Sequence, residues 1–301
     1  MGSKLGAYIQ SKKFLQVVKE LPYLEGREKI VEETYQYFDN NPNDVQLIID
    51  NFNLIQIQPD NTLLQKTYRE LGLHYYEKLF CLVKQGEARE VIDTYVDYGD
   101  VLDFFKRAKK EGKAVFLGQS HIGASYFLPV VFMVNNMDII SVGYFPDPVG
   151  KLLETNSAKF TKTYQLGAVN LVNLANSNVS SPSVMIQGLK RGEFVMNVFD
   201  ENNALCKPVK LFNATIYGGA GMDKVLRNFS GDDIYVVTPF LLRTKDGYFK
   251  FEIDHHSLDS ENIIQDFFHS YEKRIEQYPE QWYFVQEIHE NLERKTSVGK
   301  E

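Results

Sequence analysis

The chain has 301 residues, 44% hydrophobic and 24% charged, an ordinary globular balance with ample material for a buried core. Its 33 basic and 40 acidic residues leave a net charge of -7, and no dense basic run offers the face that a nucleic-acid partner requires. The two cysteines, Cys81 and Cys206, exclude a disulfide framework and a four-cysteine zinc site, and read as reduced thiols of a cytoplasmic protein.

The first residues lack the apolar stretch of a signal peptide, and Gly6 stands where a myristoylation motif needs Ser or Thr. Up to Gly112 apolar residues recur at helical spacing: Leu15, Val18 and Leu21, then Ile30, Tyr35 and Phe38, then Val45, Ile48, Ile49, Phe52 and Ile55. A longer stripe from Leu63 to Val83 carries Leu64, Tyr68, Leu71, Tyr75, Leu79 and Leu82, and Asp93 to Lys110 predicts a further helix. Beyond Gly112 strands and helices alternate. Strands are expected at Ala114 to Gly118, Ile139 to Tyr144, Phe194 to Phe199, Val209 to Phe212 and Ile234 to Leu242. Helices are expected at Ile122 to Val134, Ser183 to Arg191, Gly221 to Phe229, Ile263 to Glu276 and Gln281 to Leu292. Asp246-Gly247 predicts a hairpin turn into Tyr248 to Ile253. The expectation is an α/β fold: an all-helical preface, residues 1–111, packed on a body, residues 112–301, whose mixed central sheet is flanked by helices. The longest apolar run, Phe127 to Val134, is too short to cross a bilayer, so any membrane contact would be peripheral.

His121 follows a buried strand directly and opens the next helical stretch, which puts it on the carboxyl edge of the sheet, where α/β folds hold ligands. Gly118 and Gly123 keep the backbone around it slim, and Ser120, Ser125 and Tyr126 beside it are candidate substrate contacts. Asp200 and Glu201 end a later strand and carry carboxylates to the same edge. Tyr217-Gly218-Gly219-Ala220-Gly221 opens a helix, so amides near Gly218 and Gly219 are candidates for holding an oxyanion or a phosphate.

The ordered set of Gly118 with His121, Leu189, Gly192 and Asp200, Leu211-Phe212, Thr238-Pro239, Asp246-Gly247 and Pro279-Glu280-Gln281-Trp282 resembles the late lipid A acyltransferases, a branch of the lysophospholipid-acyltransferase superfamily. The resemblance covers roughly residues 95 to 290. It implies a glycerolipid acyltransferase-like fold with His121 as general base. It also implies an acyl donor that is a thioester on a carrier protein or coenzyme A, with a phosphopantetheine arm and no resident cofactor or metal.

The sequence departs from that pattern in three places. The family's histidine opens an H-x4-D/E motif, but Tyr126 stands five residues after His121, and a phenol is not an anion near neutral pH. Asp200 or Glu201 could replace the acid, His121 could act alone on an amine or a thiol, or the fold could serve binding without catalysis. Between Ser157 and Lys190 the only basic residues are Lys159 and Lys162, where the family grips phosphate with an arginine. No apolar amino-terminal helix stands in for the family's membrane anchor.

The expected activity is therefore transfer of an acyl or aminoacyl group to a soluble, small hydroxyl or amine acceptor in specialised-metabolite biosynthesis, with an acyl or peptidyl carrier protein as donor partner. A thioester hydrolase and a non-catalytic binding protein are the alternatives. Cys206 and Cys81 read as structural, Asp254-His255-His256 as surface residues, and His74, His269 and His289 take no role.

Overall fold

The computed structural model describes residues 4–9, 11–143, 151, 154–155, 162, 167–173, 180–219, 221–244 and 247–292. Tyr144, Lys159, 174–179, Ala220 and Asp246 lie outside them.

The amino-terminal helices are α1 (Lys4–Ile9), α2 (Lys12–Glu20), α3 (Tyr23–Asp39), α4 (Pro42–Leu54), α5 (Asn61–Val83) and α6 (Gln85–Tyr95). Asp60 starts α5 by accepting the Leu63 amide at 2.7 Å, which satisfies a donor that the first helical turn leaves free. The stretch expected as one helix from Asp93 is divided. α6 ends at Tyr95, Val96–Asp97 form a short strand β1, and α7 (Val101–Glu111) restarts after Gly99, which takes a positive φ of 45°. The preface is thus not wholly helical, because β1 joins the edge of the body's sheet as a parallel strand.

The body supplies β2 (Ala114–Gln119), α8 (Leu128–Val134), β3 (Ile139–Gly143), β4 (Val169–Asn173), α9 (Ser181–Lys190), β5 (Phe194–Val198), β6 (Lys207–Leu211) and β7 (Ala214–Gly218). It continues with α10 (Met222–Leu226), β8 (Ile234–Arg243), β9 (Phe249–His256) and α11 (Ile263–Gln277). The seven-stranded mixed sheet has the order β1-β9-β8-β2-β5-β3-β4, antiparallel only between β8 and β9. Every residue of β2 is buried, as expected of a central strand covered on both faces. β6 and β7 make a separate two-stranded hairpin, where the sequence predicts one extended segment and a longer helix. The expected helix from Ile122 is shorter too: a 3-10 turn, Ser125–Phe127, leads into α8. The closing stretch is three 3-10 turns, Pro279–Gln281, Tyr283–Gln286 and Ile288–Asn291.

One hydrophobic core runs across residue 112, joining Leu71, Tyr76 and Phe80 of the preface to Phe116, Phe127 and Phe249 of the body. The Arg243 guanidinium at the end of β8 makes a two-pronged bond to Glu77 of α5, at 2.7 and 2.6 Å, and a third bond to Glu70 at 3.0 Å. The Asn51 side chain donates to the Val285 carbonyl at 2.8 Å. No helix among the described residues is long and apolar enough to cross a membrane.

Candidate active site

β2 and β5 are parallel neighbours with Gln119 opposite Val198. Continuing that register by two residues places His121 opposite Asp200. Phe199 extends the ladder by donating its amide to the Gln119 carbonyl at 3.0 Å. Adjacent strands of one sheet thereby deliver a histidine and an aspartate to the same carboxyl edge.

The contact between them is double. The His121 backbone N–H donates to Asp200 Oδ2 at 2.6 Å, and the imidazole Nδ1 lies 2.9 Å from Oδ1. A carboxylate only accepts, so Nδ1 carries the proton and Nε2 is the nitrogen left for chemistry. Asp200 is itself fixed, since its carbonyl accepts from the Asn291 side chain at 3.0 Å and it is only 1% exposed. Burial works against a charged imidazole here, but the Asp200 charge and hydrogen bond, with help from Glu201 and Glu287, outweigh it and raise His121 to about 9.

Gly123 holds the loop after His121 in place at a φ of 63°, where a side chain would run into the Leu241 carbonyl oxygen. Its amide donates to the Gln281 carbonyl, and the Ala124 amide to Leu241. The carboxy-terminal segment closes the other side, with the Tyr283 amide on the His121 carbonyl at 3.1 Å. The His121 ring meets Phe284 edge-on at 4.9 Å and lies 5.8 Å from Tyr283.

Glu201 Oε1 lies 3.7 Å from His121 Nε2 and is half exposed, so the expected carboxylate pair does converge on His121, with the two acids on opposite nitrogens of the ring. Tyr126 is half-buried beside the site, its phenol proton held on by burial and then by the charges of Glu201 and Glu287. Ser120 and Ser125 are each 1% exposed, and their hydroxyl oxygens lie beneath the surface without a hydrogen-bond partner among the described residues. Their expected role as direct substrate contacts is not met by that placement. Gly218 and Gly219 are corrected as well. Gly218 is inside β7, the Gly219 amide is already bonded to the Phe199 carbonyl at 2.7 Å, and α10 begins only at Met222, too short to present a helix terminus.

Five neighbours escape sequence reasoning. His74 of α5 is 3% exposed, stacks on Tyr283 at 4.0 Å, and lies 6.4 Å from the His121 ring. Burial first, then the positive charges of His121, Arg243 and Lys78, hold it neutral. Lys78, one turn further along α5, sits 5.3 Å over the Tyr126 ring. Tyr283 donates to Glu287 at 2.9 Å and shares a hydrogen bond of 3.0 Å with Tyr75. The i, i+4 spacing of His74 and Lys78 was the available signal, since it puts both on one helix face.

Two cavities among the described residues, of about 300 and 460 Å³, lie elsewhere. The first is at the amino edge of the sheet beside Gly112 and Ala114, the second beside Ile55 and Phe212. Neither is lined by His121. No group of three or more metal-ligating side chains occurs among the described residues, and His256 of the Asp254-His255-His256 run bonds Thr238 at 2.7 Å. No protein-family model and no curated protein sequence matches the chain.

Proposed function

We propose that the protein is an acyltransferase that moves an acyl or aminoacyl group from a carrier-protein or coenzyme A thioester to a soluble hydroxyl or amine acceptor. The observation that carries the reading is the His121–Asp200 pair, a base with its orienting carboxylate in hydrogen-bond contact. A ring packed only against apolar side chains would have favoured a binding protein instead.

In the proposed reaction His121 Nε2 takes the acceptor's proton while the acceptor atom bonds to the thioester carbonyl carbon. The carbonyl π pair moves onto oxygen, then re-forms the double bond as the carbon–sulfur bond breaks. The departing thiolate takes the proton back from the imidazolium, so no net charge or proton is left behind. Asp200 holds the reactive tautomer and stabilises the imidazolium, the part played by the acid of an H-x4-D/E motif in the family this chain resembles.

Thiol release from a panel of acyl-coenzyme A and acyl-N-acetylcysteamine thioesters, with and without simple alcohols and amines, tests the reading. Wild-type protein should release thiol, and His121→Ala should lower the rate by roughly a hundred- to ten-thousandfold with an unchanged circular dichroism spectrum. Equal rates for the two proteins would remove His121 from any mechanism.

A further inference from the structure

Acyl transfer through a tetrahedral intermediate puts a full negative charge on the former carbonyl oxygen, and something must meet it. The amides near Gly218 and Gly219 do not, for the reasons given above. Among the described residues around His121 the one cation without an ion-pair partner is Lys78. Its side chain is half-buried, yet among the described residues no hydrogen bond and no carboxylate within 4 Å engages the ammonium, which lies 5.3 Å over the Tyr126 ring. The same helix places His74 against both Tyr126, at 4.9 Å, and His121. Glu201, in contact with His121 Nε2, and Glu287 both act electrostatically on Lys78 as well as on His121. The lysine and the reactive nitrogen therefore share Glu201 and Glu287 as charged neighbours, with Tyr126 and His74 lying between them and Lys78 over the Tyr126 ring.

An unpaired, half-buried lysine is a poor stabilising device. Burial opposes its charge, and contact with an aromatic face returns only part of that cost. Such a residue makes sense where a transient anion is to form. We infer that Lys78 is the oxyanion-stabilising residue of this site, a catalytic group supplied by the amino-terminal helices to a body that holds the base. The inference rests on the acyl-transfer reading. Lys78 stays protonated throughout: as the acceptor atom bonds to the carbonyl carbon, the displaced π pair on oxygen lies against the ammonium, and it returns when the carbon–sulfur bond breaks.

Lys78→Met keeps the length and apolar stem of the side chain and removes the charge. The experiment measures kcat, KM and melting temperature for wild type, Lys78→Met, Lys78→Arg and His121→Ala with the same acyl thioesters. The expected result is a loss of roughly a hundred- to a thousandfold in kcat for Lys78→Met, with KM nearly constant and partial recovery in Lys78→Arg. Its melting temperature should be unchanged or higher, because a desolvated charge has gone. A structural lysine would give the opposite pattern, a lower melting temperature with kcat retained, and that would overturn the inference. So would a drop in kcat that merely follows loss of folding. If wild type and His121→Ala are equally inactive on every thioester, the acyl-transfer reading itself falls and takes this role with it. If His121→Ala is inactive while Lys78→Met turns over normally, only the role of Lys78 falls.

Discussion

His121 is gripped by one carboxylate at two points, its backbone amide and its Nδ1, and the consequence is a base stronger than an ordinary imidazole. With His121 near 9, roughly one ring in a hundred is free base at neutral pH. Catalysis should therefore rise about tenfold per pH unit from 7 towards 9 and then level. Stability should move the other way. The folded-state value lies above the ordinary 6.5, so the contribution of His121 is fully present below 6.5 and is lost as pH rises through about 9. Chemical denaturation from pH 6 to 10 alongside initial rates checks both signs, and His121→Gln should flatten the stability trend in that window. A rate plateau already reached at pH 7 would contradict the assignment. The residue types at this site were legible in sequence: His121, Asp200 and Glu201 all converge. The partnering with Asp200 was legible only as one of several alternatives, because a gap of 79 positions closes through strand register, which a single sequence does not state.

At the scale of elements, the long apolar stripe of α5 and the buried strand β2 were readable, since period 3.6 and a continuous apolar run each leave a strong imprint. Short elements were not. β1 has two residues and β4 carries a neutral, partly exposed sequence, so neither shows a period long enough to detect. The turn content of the closing segment was hidden because its buried Trp282, Val285 and Ile288 recur every third residue, a spacing that a helix and successive 3-10 turns share. Charges buried between elements were invisible for a related reason: Glu77 on its stripe looks like a solvated residue until β8 brings Arg243 to it. Glu77 is 1% and Arg243 4% exposed, so Glu77→Ala would leave a buried guanidinium with Glu70 as its remaining partner. The expected loss is about 3–5 kcal/mol, read as a lowered urea midpoint. A change below about 1 kcal/mol would mean that the clamp between α5 and β8 contributes little.

For the whole molecule, the expected split at residue 112 describes texture rather than independence. α5 sits on the 3-10 turns at both ends of the body and contributes His74 and Lys78 to the surroundings of His121, while Tyr283 and Glu287 come from the far end of the chain. The site is thus assembled from four stretches of sequence that meet only in the folded chain, and the strand beside His121 supplies the carboxylate bonded to its ring. The proposed role of that carboxylate in orienting the base is the central claim, and Asp200→Asn tests it most directly. The amide keeps the size of the side chain but removes the charge that holds the Nδ1–H tautomer and the imidazolium. Steady-state kinetics with an acyl thioester should show kcat lowered by roughly a hundred- to ten-thousandfold, KM within about threefold of wild type, and a retained fold. An Asp200→Asn protein that turns over at the wild-type rate would contradict the account.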